Sequence, residues 1–256
     1  METLQEAVLK IPRPARDALD GVWLGAPLHP ALTDVPLGSW TAAAVLDLVG
    51  SDEADAVLLI GVLAALPTAL TGLNDWSHLK GEPRRLGIVH ALVNTTGLCL
   101  NVGSLLLRRR GRRRLGRLLS AIAYAGTLYS AHLGGQLSFG LGVRVDRTAF
   151  EDEPEEWTPV ADADDVVGTD LRRFGDVLLT RTESREVCAI SATCSHLGGP
   201  LDEGEREGDT VVCPWHGSRF DLCTGAVEGG PAVFPQPRFQ TRVRDAKVEI
   251  RAARDA

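Results

Sequence analysis

Two cysteines and two histidines in the C-terminal part of the sequence have the residue types and spacing of a metal site. A Cys-x-His pair is followed by sixteen residues and then by a Cys-x-x-His pair, which gives Cys194, His196, Cys213 and His216. Two thiolates and two imidazoles are a common ligand set for structural zinc. They are also the set that holds a 2Fe–2S cluster in which the cysteines bind one iron and the histidines the other. The ligand types alone leave both chemistries open.

The local sequence favours the cluster over zinc. The single residue between Cys194 and His196 is a short spacer for two ligands of one ion, but it suits ligands that bind different irons. Glycines follow each histidine, as at Gly198 and Gly199, and they let backbone N–H groups approach cluster sulfurs. The Gly- and Pro-rich segment 229–237 is expected to be rigid enough to cover the cluster.

Residues 157–251 resemble a Rieske ferredoxin-type domain. The resemblance is carried by two runs, Cys194-Ser195-His196-Leu197-Gly198-Gly199 and Cys213-Pro214-Trp215-His216-Gly217-Ser218. Short β-like runs separated by turns independently predict a small antiparallel β-sandwich or barrel, with strands over 177–180, 187–190, 211–213, 239–243 and 247–251. The resemblance carries a further implication for the cluster. It implies that the two cysteines bind the buried iron and that exposed imidazoles of His196 and His216 bind the solvent-side iron and pass the electron. The residues next to the cluster would be Gly198, Gly199 and Ser218.

The departures from high-potential Rieske proteins predict a low reduction potential. By the resemblance, those proteins join the two loops by a disulfide at the positions that hold Gly199 and Trp215 here. They also hydrogen-bond the cluster with a serine, retained as Ser218, and with a tyrosine, replaced by Phe220. Fewer donors stabilise the reduced form less. We therefore expect a potential in the lower part of the range from about −150 to +300 mV.

Three further cysteines lie outside the ligand set. Cys99 falls in an apolar run and is interpreted as a small apolar side chain. Cys188 and Cys223 flank the two cluster loops and could form a disulfide, but sequence does not show proximity. We expect them to be core thiols.

The first half of the 256-residue chain differs in composition from the second. Residues 1–150 contain 15 Lys and Arg and 12 Asp and Glu, whereas residues 151–256 contain 12 and 22. The first half also carries long apolar runs, and a helix of about 20 apolar residues crosses a bilayer. We predict an all-α four-helix transmembrane bundle over residues 1–150, an acidic linker over 151–156 and the all-β domain over 157–256. The predicted spans are about 35–49, 56–73, 86–107 and 118–143.

The alternative for the first half is a buried helical bundle of a soluble protein. The run Leu28-His29-Pro30-Ala31-Leu32-Thr33-Asp34-Val35-Pro36 resembles the opening of an uncharacterised family of small four-helix bacterial membrane domains, which supports the membrane fold. Seven arginines fall within residues 108–117, between two apolar runs. This position argues against a nucleic-acid partner. It also favours a cytoplasmic location for that loop, and hence an extracytoplasmic Rieske domain.

Several polar residues of the first half are expected to gather at one face of the membrane domain, because successive spans alternate in direction. Ionisable groups within membranes commonly face the bundle interior and bind ligands or protons. We predict a haem, quinone or proton pocket there. The alternative is that the histidines are interfacial or hydrogen-bond between helices. The residues concerned are His29, His78, His90, His132, Asp34, Asp75 and Asn94.

These interpretations combine into a membrane-anchored one-electron carrier that exchanges electrons with the haem or quinone pocket. Its partners would be the lipid bilayer and an unidentified redox protein or quinone. We expect an electron-transfer component rather than a complete enzyme, because the chain ends at Ala256 without a following 2-His-1-carboxylate iron domain. The alternatives are a ferredoxin component that supplies a separate oxygenase and a non-catalytic membrane redox sensor.

Overall fold

A computed structural model describes residues 2–184 and 186–253, and these residues form two units. The first unit contains the chain up to residue 15 and residues 27–143, and the second contains residues 16–26 and the chain from residue 144 onwards. The sequence prediction placed the boundary at residue 150. The division differs because residues 16–26 and 144–150 make their contacts with the β-rich unit.

The helices run in an antiparallel series. Helix α3 packs against α4 and α6, and α5 packs against the same two helices. Their bounds are α1 Glu2–Leu9, α2 Arg13–Asp20, α3 Leu28–Leu48, α4 Ala54–Ser77, α5 Gly81–Arg109 and α6 Arg113–Gly135. All four predicted spans overlap α3 to α6. Helix α3 begins earlier than predicted because Pro30 lies in its first turn, where the N–H that proline lacks has no intrahelical partner.

The surface of the helical unit is rich in large apolar side chains. Two helices, α4 and α5, are long and apolar enough by length and composition to cross a membrane. Only 28% of the apolar window of α4 and 11% of that of α5 is buried. Exposed apolar residues on α3 to α6 include Val45, Ile60, Leu63, Leu66, Leu70, Leu92, Leu106, Leu118 and Ile122. A soluble bundle turns such side chains inwards.

A buried ionic cluster joins the helices at one end of this unit. The Arg108 side chain is fully buried and donates hydrogen bonds to Asp47 on α3 and, at 2.9 Å, to Asp55 on α4. It also donates to the hydroxyl groups of Ser104 and Ser120 at 3.0 and 2.8 Å. These contacts explain how Asp47 is tolerated within an otherwise apolar helix, because its charge is paired.

The second unit contains two antiparallel sheets. A six-stranded sheet has the order β1-β10-β9-β4-β3-β2, and a four-stranded sheet has the order β5-β6-β7-β8. The strands are β1 Thr158–Asp162, β2 Arg172–Phe174, β3 Val177–Arg181, β4 Val187–Ser191, β5 Glu205–Glu207, β6 Thr210–Val212, β7 Arg219–Asp221, β8 Val227–Gly229, β9 Arg238–Arg244 and β10 Lys247–Ala252. The segment 151–156 has no regular structure.

Both faces of β3 and β4 are buried, which gives the unit two cores. Leu178 and Ile190 pack in one core together with Cys194, Cys213 and Phe220. Their neighbours in sequence, Leu179 after Leu178 and Ala189 before Ile190, pack in the other core. Successive side chains of a strand point to opposite faces of the sheet. The two cysteines are therefore packed within the first apolar core.

Candidate functional site

The two cysteine loops share one backbone hydrogen-bond pattern. The N–H of Gly198 donates to Cys194 O at 2.9 Å, and Cys194 N–H donates to Gly199 O at 2.8 Å. The second loop repeats these contacts, with Gly217 N–H to Cys213 O at 3.0 Å and Cys213 N–H to Ser218 O at 2.8 Å. Gly198 and Gly217 have φ angles of +81° and +75°, which only glycine adopts readily. The glycines thus allow both chains to fold back over their cysteines.

The two cysteine side chains are buried and hydrogen-bonded to each other. The hydrogen bond with Cys213, together with burial, raises the pKa of the Cys194 thiol. The same hydrogen bond lowers the pKa of Cys213 to about 7. The hydrogen bond between the sulfurs favours the thiolate form of Cys213, and the thiolate is the form that binds metal.

The two histidines form a second pair. The ring centroids of His196 and His216 lie 5.1 Å apart at an interplanar angle of 90°. His196 is only 7% exposed, whereas His216 is partly exposed and follows Trp215, which is 54% exposed. The expectation of two exposed imidazoles is therefore wrong for His196. Solvent access to the pair runs through His216.

Comparison with known proteins identifies two family matches along this chain. Residues 156–240 match the Rieske [2Fe-2S] domain family, and residues 25–147 match the family described as "Predicted membrane protein (DUF2231)". The chain is 31% identical over 98 residues to ferredoxin CarAc of Metapseudomonas resinovorans, covering 37% of this chain and 92% of that protein. The chain belongs to the Rieske [2Fe-2S] domain family.

Further similarities cover a comparable share of this chain. Mouse apoptosis-inducing factor 3 is 37% identical over 83 residues, which are 32% of this chain and 14% of that protein. The chain therefore spans a small part of that relative. The ferredoxin of carbazole 1,9a-dioxygenase from Nocardioides aromaticivorans IC177 is 30% identical, with a TM-score of 0.35 over 38% of this chain and 99% of that structure.

The side chains of the Rieske unit fit a dinuclear cluster. A thiol pair and an imidazole pair offer two ligands to each of two irons, as a 2Fe–2S cluster of this type requires. The pairwise arrangement of Cys194 with Cys213 and of His196 with His216 thus matches two irons.

Gly199 is packed between the two loops. A Cβ atom at this position would lie 2.8 Å from Cys213 Sγ and 3.1 Å from Trp215 Cγ. The positions that carry the loop-to-loop disulfide in high-potential relatives therefore face each other here without a covalent link. The bare backbone of Gly199 lets the Trp215 ring and the Cys213 sulfur approach.

Ser218 and the segment after β8 close the site. The buried Ser218 hydroxyl is hydrogen-bonded to the Cys194 sulfur and accepts a hydrogen bond from Ala232 N–H at 3.1 Å. Residues 230–237, called the cover segment below, also bind the first loop, because Ser195 Oγ donates to Phe234 O at 2.8 Å. Ala232 packs in the same core as both cysteines. The predicted covering role of this segment agrees with these contacts.

Cys188 and Cys223 form a disulfide, with Cα atoms 4.7 Å apart. The expectation that both are core thiols is therefore wrong. The sequence concealed the pairing because the two cysteines are 35 residues apart and meet only when β4 and the turn after β7 come together. Cys188 lies on the strand that leads into the first loop, and Cys223 follows the strand that leaves the second. The disulfide thus links the strands that carry the two loops.

Of the predicted pocket residues in the helical unit, His29 and His90 are brought together, with ring centroids 6.4 Å apart. Nδ1 of His29 lies 2.9 Å from Thr68 O, and Nδ1 of His90 lies 3.0 Å from Ser130 O. Asn94 contacts the other ring nitrogen of His90 at 3.1 Å. Both histidines therefore have one ring nitrogen fixed by a backbone carbonyl.

The remaining predicted pocket residues are placed differently. His132 and Asp34 are exposed on the surface of the helical unit, and His132 contacts Gln136 at 3.1 Å. Asp75 and His78 are buried at the end of α4. The exposed positions of His132 and Asp34 contradict the prediction of one pocket that includes all these side chains. Residues of different helices can lie at the same depth in the bundle and still point in different directions, because the direction depends on the position around each helix axis.

Proposed function

We propose that this chain is a membrane-anchored one-electron carrier in which Cys194, Cys213, His196 and His216 ligate a Rieske 2Fe–2S cluster. The observation that carries the proposal is the pairing of two buried thiols and two imidazoles by loops with the same hydrogen-bond pattern. When bound, such a cluster accepts and releases one electron. The chain would act as an electron-transfer component with a separate redox partner.

The residues around the site define how an electron would enter and leave. The buried thiols and the core beneath them exclude water from one side. The partly exposed His216 ring and the exposed Trp215 ring are the accessible surface beside the ligands. A redox protein that docks there needs an apolar contact for Trp215, which is a typical anchor residue of protein interfaces.

We further propose that α3 to α6 all span the bilayer. Outward-facing Leu, Ile and Val side chains support this proposal. A protein with such an apolar surface exposed to water would tend to aggregate, whereas lipid covers it in a bilayer. The buried Arg108 ion pairs support it as well, since charges within a bilayer are paired inside the bundle. Retention of the protein in membranes after carbonate washing, and its release only by detergent, is the expected result. Release by carbonate would contradict the span assignment.

The Rieske unit is proposed to face the extracytoplasmic side. Disulfides persist in oxidising compartments, and the Cys188–Cys223 bond lies in this unit. Independently, the arginine-rich segment 108–117 joins α5 to α6 at the other end of the spans, and such segments remain cytoplasmic. The two arguments rest on different residues and agree.

Labelling of intact cells with a membrane-impermeant maleimide tests this orientation. Single reporter cysteines at exposed positions, Asp164→Cys in the Rieske unit and Arg110→Cys in the arginine-rich segment, are placed in a Cys99→Ala background. We expect labelling at position 164 and protection at position 110 until the cells are opened. The reverse pattern would contradict the orientation.

His29 and His90 are proposed as the redox pocket of the membrane domain. A metal-bound histidine almost always has its second ring nitrogen fixed by a carbonyl or carboxylate, and both rings have such a contact. At a centroid distance of 6.4 Å the rings are close enough for one ligand to contact both. A haem iron would bind Nε2 of each ring, in place of the Asn94 contact at His90, whereas a quinone carbonyl would need a protonated Nε2–H as its hydrogen-bond donor.

Absorption spectra and quinone extraction of the purified protein test this pocket. We expect haem or bound quinone in the unmodified protein, its loss in His29→Ala and His90→Ala, and its retention in His132→Ala. The last variant is the matched control because His132 is exposed. A protein that contains neither group, or in which all three variants behave alike, would contradict the pocket.

The similarity to ferredoxin CarAc favours a second candidate, electron supply to a separate oxygenase. The two candidates are distinguished by mixing the chemically reduced protein with either a quinone or the oxygenase component of carbazole 1,9a-dioxygenase. Rapid reoxidation by quinone alone is expected for the first candidate. Reoxidation by the oxygenase alone would favour the second.

A further inference from the structure

Charged residues outside the region that matches the Rieske family form hydrogen bonds with the cover segment. The Asp17 carboxylate, at Oδ1, accepts a hydrogen bond from Gly230 N–H at 3.0 Å. The Arg144 guanidinium, at Nη1, donates to Pro231 O at 2.7 Å. Asp17 and Arg144 come from opposite ends of the helical region in sequence, yet both belong to the Rieske unit by their contacts. The peptide groups on the two sides of the Gly230–Pro231 bond are thus hydrogen-bonded to these two side chains.

Arg144 is itself held tightly. Its side chain is 5% exposed and lies 3.4 Å from Oδ1 of Asp20, whose side chain is fully buried, and it also donates to the Asp20 backbone carbonyl. Its φ angle is +61°, a conformation that is unfavourable for a residue with a side chain. A Cβ at Gly230 would lie 2.8 Å from Asp20 Oδ2. Arg144 thus has a backbone conformation that glycine would adopt more easily, and its side chain makes contacts with Asp20 and Pro231 that glycine could not make.

The hydrogen-bonded part of the cover segment is connected to Cys194, a proposed cluster ligand, through Ser218. Ala232, the residue after Pro231, donates its N–H to Ser218 Oγ, and the Ser218 hydroxyl is hydrogen-bonded to the Cys194 sulfur. Ala232 also packs with Cys194 and Cys213 in one core. A shift of the clamped peptides would therefore be transmitted to the hydrogen bond on the sulfur.

We infer that Asp17, Asp20 and Arg144 are positioning residues that fix the cover segment and tune the reduction potential of the cluster. The inference rests on the proposed function, because it requires the cluster between the four ligands. Reduction adds one negative charge, so a nearby carboxylate disfavours the reduced form and a nearby guanidinium favours it. Such effects persist where burial limits screening by solvent and salt.

Protein-film voltammetry of the full-length protein tests the inference, with iron and acid-labile sulfide measured on each sample. Asp17→Asn retains a side-chain oxygen for Gly230 N–H but removes the charge, and we expect its midpoint potential to rise. Arg144→Gln removes the positive charge, and we expect its potential to fall. The matched controls are Asp164→Asn and Arg172→Gln, which change exposed charges of the same unit.

Shifts of opposite sign that exceed those of the controls would support the inference, because a merely structural role does not produce opposite signs. Shifts of the same sign, or none beyond the controls, would overturn it. If Arg144→Gln loses its iron, the Asp17→Asn potential alone decides, and an unchanged value overturns the inference. An unmodified protein without iron and sulfide would instead overturn the proposed function, and this inference with it.

Discussion

The Ser218 hydroxyl connects the Cys194 sulfur to the cover segment, with which it shares a 3.1 Å hydrogen bond from Ala232 N–H. A donor to a ligating sulfur stabilises the reduced cluster. We predict that Ser218→Ala keeps its cluster but lowers the midpoint potential. One hydrogen bond of about 1 kcal/mol corresponds to roughly 40 mV for one electron.

The matched control for this prediction is Ser195→Ala in the other loop. The Ser195 hydroxyl donates to Phe234 O, so we expect a smaller shift. Voltammetry of both variants beside the unmodified protein measures the difference. Equal potentials for Ser218→Ala and the unmodified protein would contradict the role assigned to the hydroxyl.

Gly199 is expected to tolerate no side chain. A Cβ would lie 2.8 Å from Cys213 Sγ, inside van der Waals contact, so Gly199→Ala must push the two loops apart. We predict loss of most of the iron from the purified variant. Gly140→Ala is the control, because nothing lies within 4 Å of a Cβ there. Full iron occupancy in Gly199→Ala would show that the loops are not packed as described.

The Cys188–Cys223 disulfide is expected to stabilise the Rieske unit by cross-linking strands 35 residues apart. A loop of this length contributes about 4 kcal/mol in the chain-entropy model. The double variant Cys188→Ala, Cys223→Ala should melt at a lower temperature, and a dithiol reductant should lower the melting temperature of the unmodified protein only. Cys99→Ala, which removes a free cysteine, should melt normally. Equal melting with and without the bond would refute the cross-link.

The Asp221 carboxylate is expected to make the stability of the turn after β7 depend on pH. Burial acts to raise its pKa, but hydrogen bonds from the Thr224 hydroxyl, Thr224 N–H and Cys223 N–H outweigh it and lower the pKa. A lowered pKa means that the stabilisation is present above the unfolded value of about 3.9 and is lost as pH falls through the folded value.

We therefore predict that Asp221→Ala is less stable than the unmodified protein by about 1 kcal/mol near neutral pH. The difference should shrink as the pH falls below the unfolded value of about 3.9 and through the lower folded value. Melting curves of both proteins across this range measure it. A difference that stays constant down to the lowest pH would mean that the carboxylate charge makes no contribution.

The sequence predicted most of the parts that have strong local signals. The regular strands beginning at Val177, Val187 and Lys247 were placed within one or two residues, because alternating β-branched residues between turns mark them. The three-residue strands β2, β5, β7 and β8 were missed because so few residues show no periodicity, and β1 was missed as well. The four helices were recognised from their apolar runs, although their ends were not.

Long-range pairing accounts for what the sequence could not show. The ligand set could be predicted because Cys194 and His196, and likewise Cys213 and His216, are close in sequence. The clamp of Asp17 on Gly230 joins residues 213 positions apart, and no local pattern signals it. Too many residues were assigned to the histidine pocket. The sequence indicated how far along its helix each residue lies, but not the direction in which it points about the helix axis.

Chemical analysis of iron and acid-labile sulfide, combined with an EPR spectrum of the reduced protein, tests the central claim most directly. We predict two irons and two sulfides per chain, and a reduced signal with coupling to two histidine nitrogens. That coupling should be lost in His216→Ala. One zinc per chain without sulfide would contradict the account, because the four ligands would then hold a structural zinc ion.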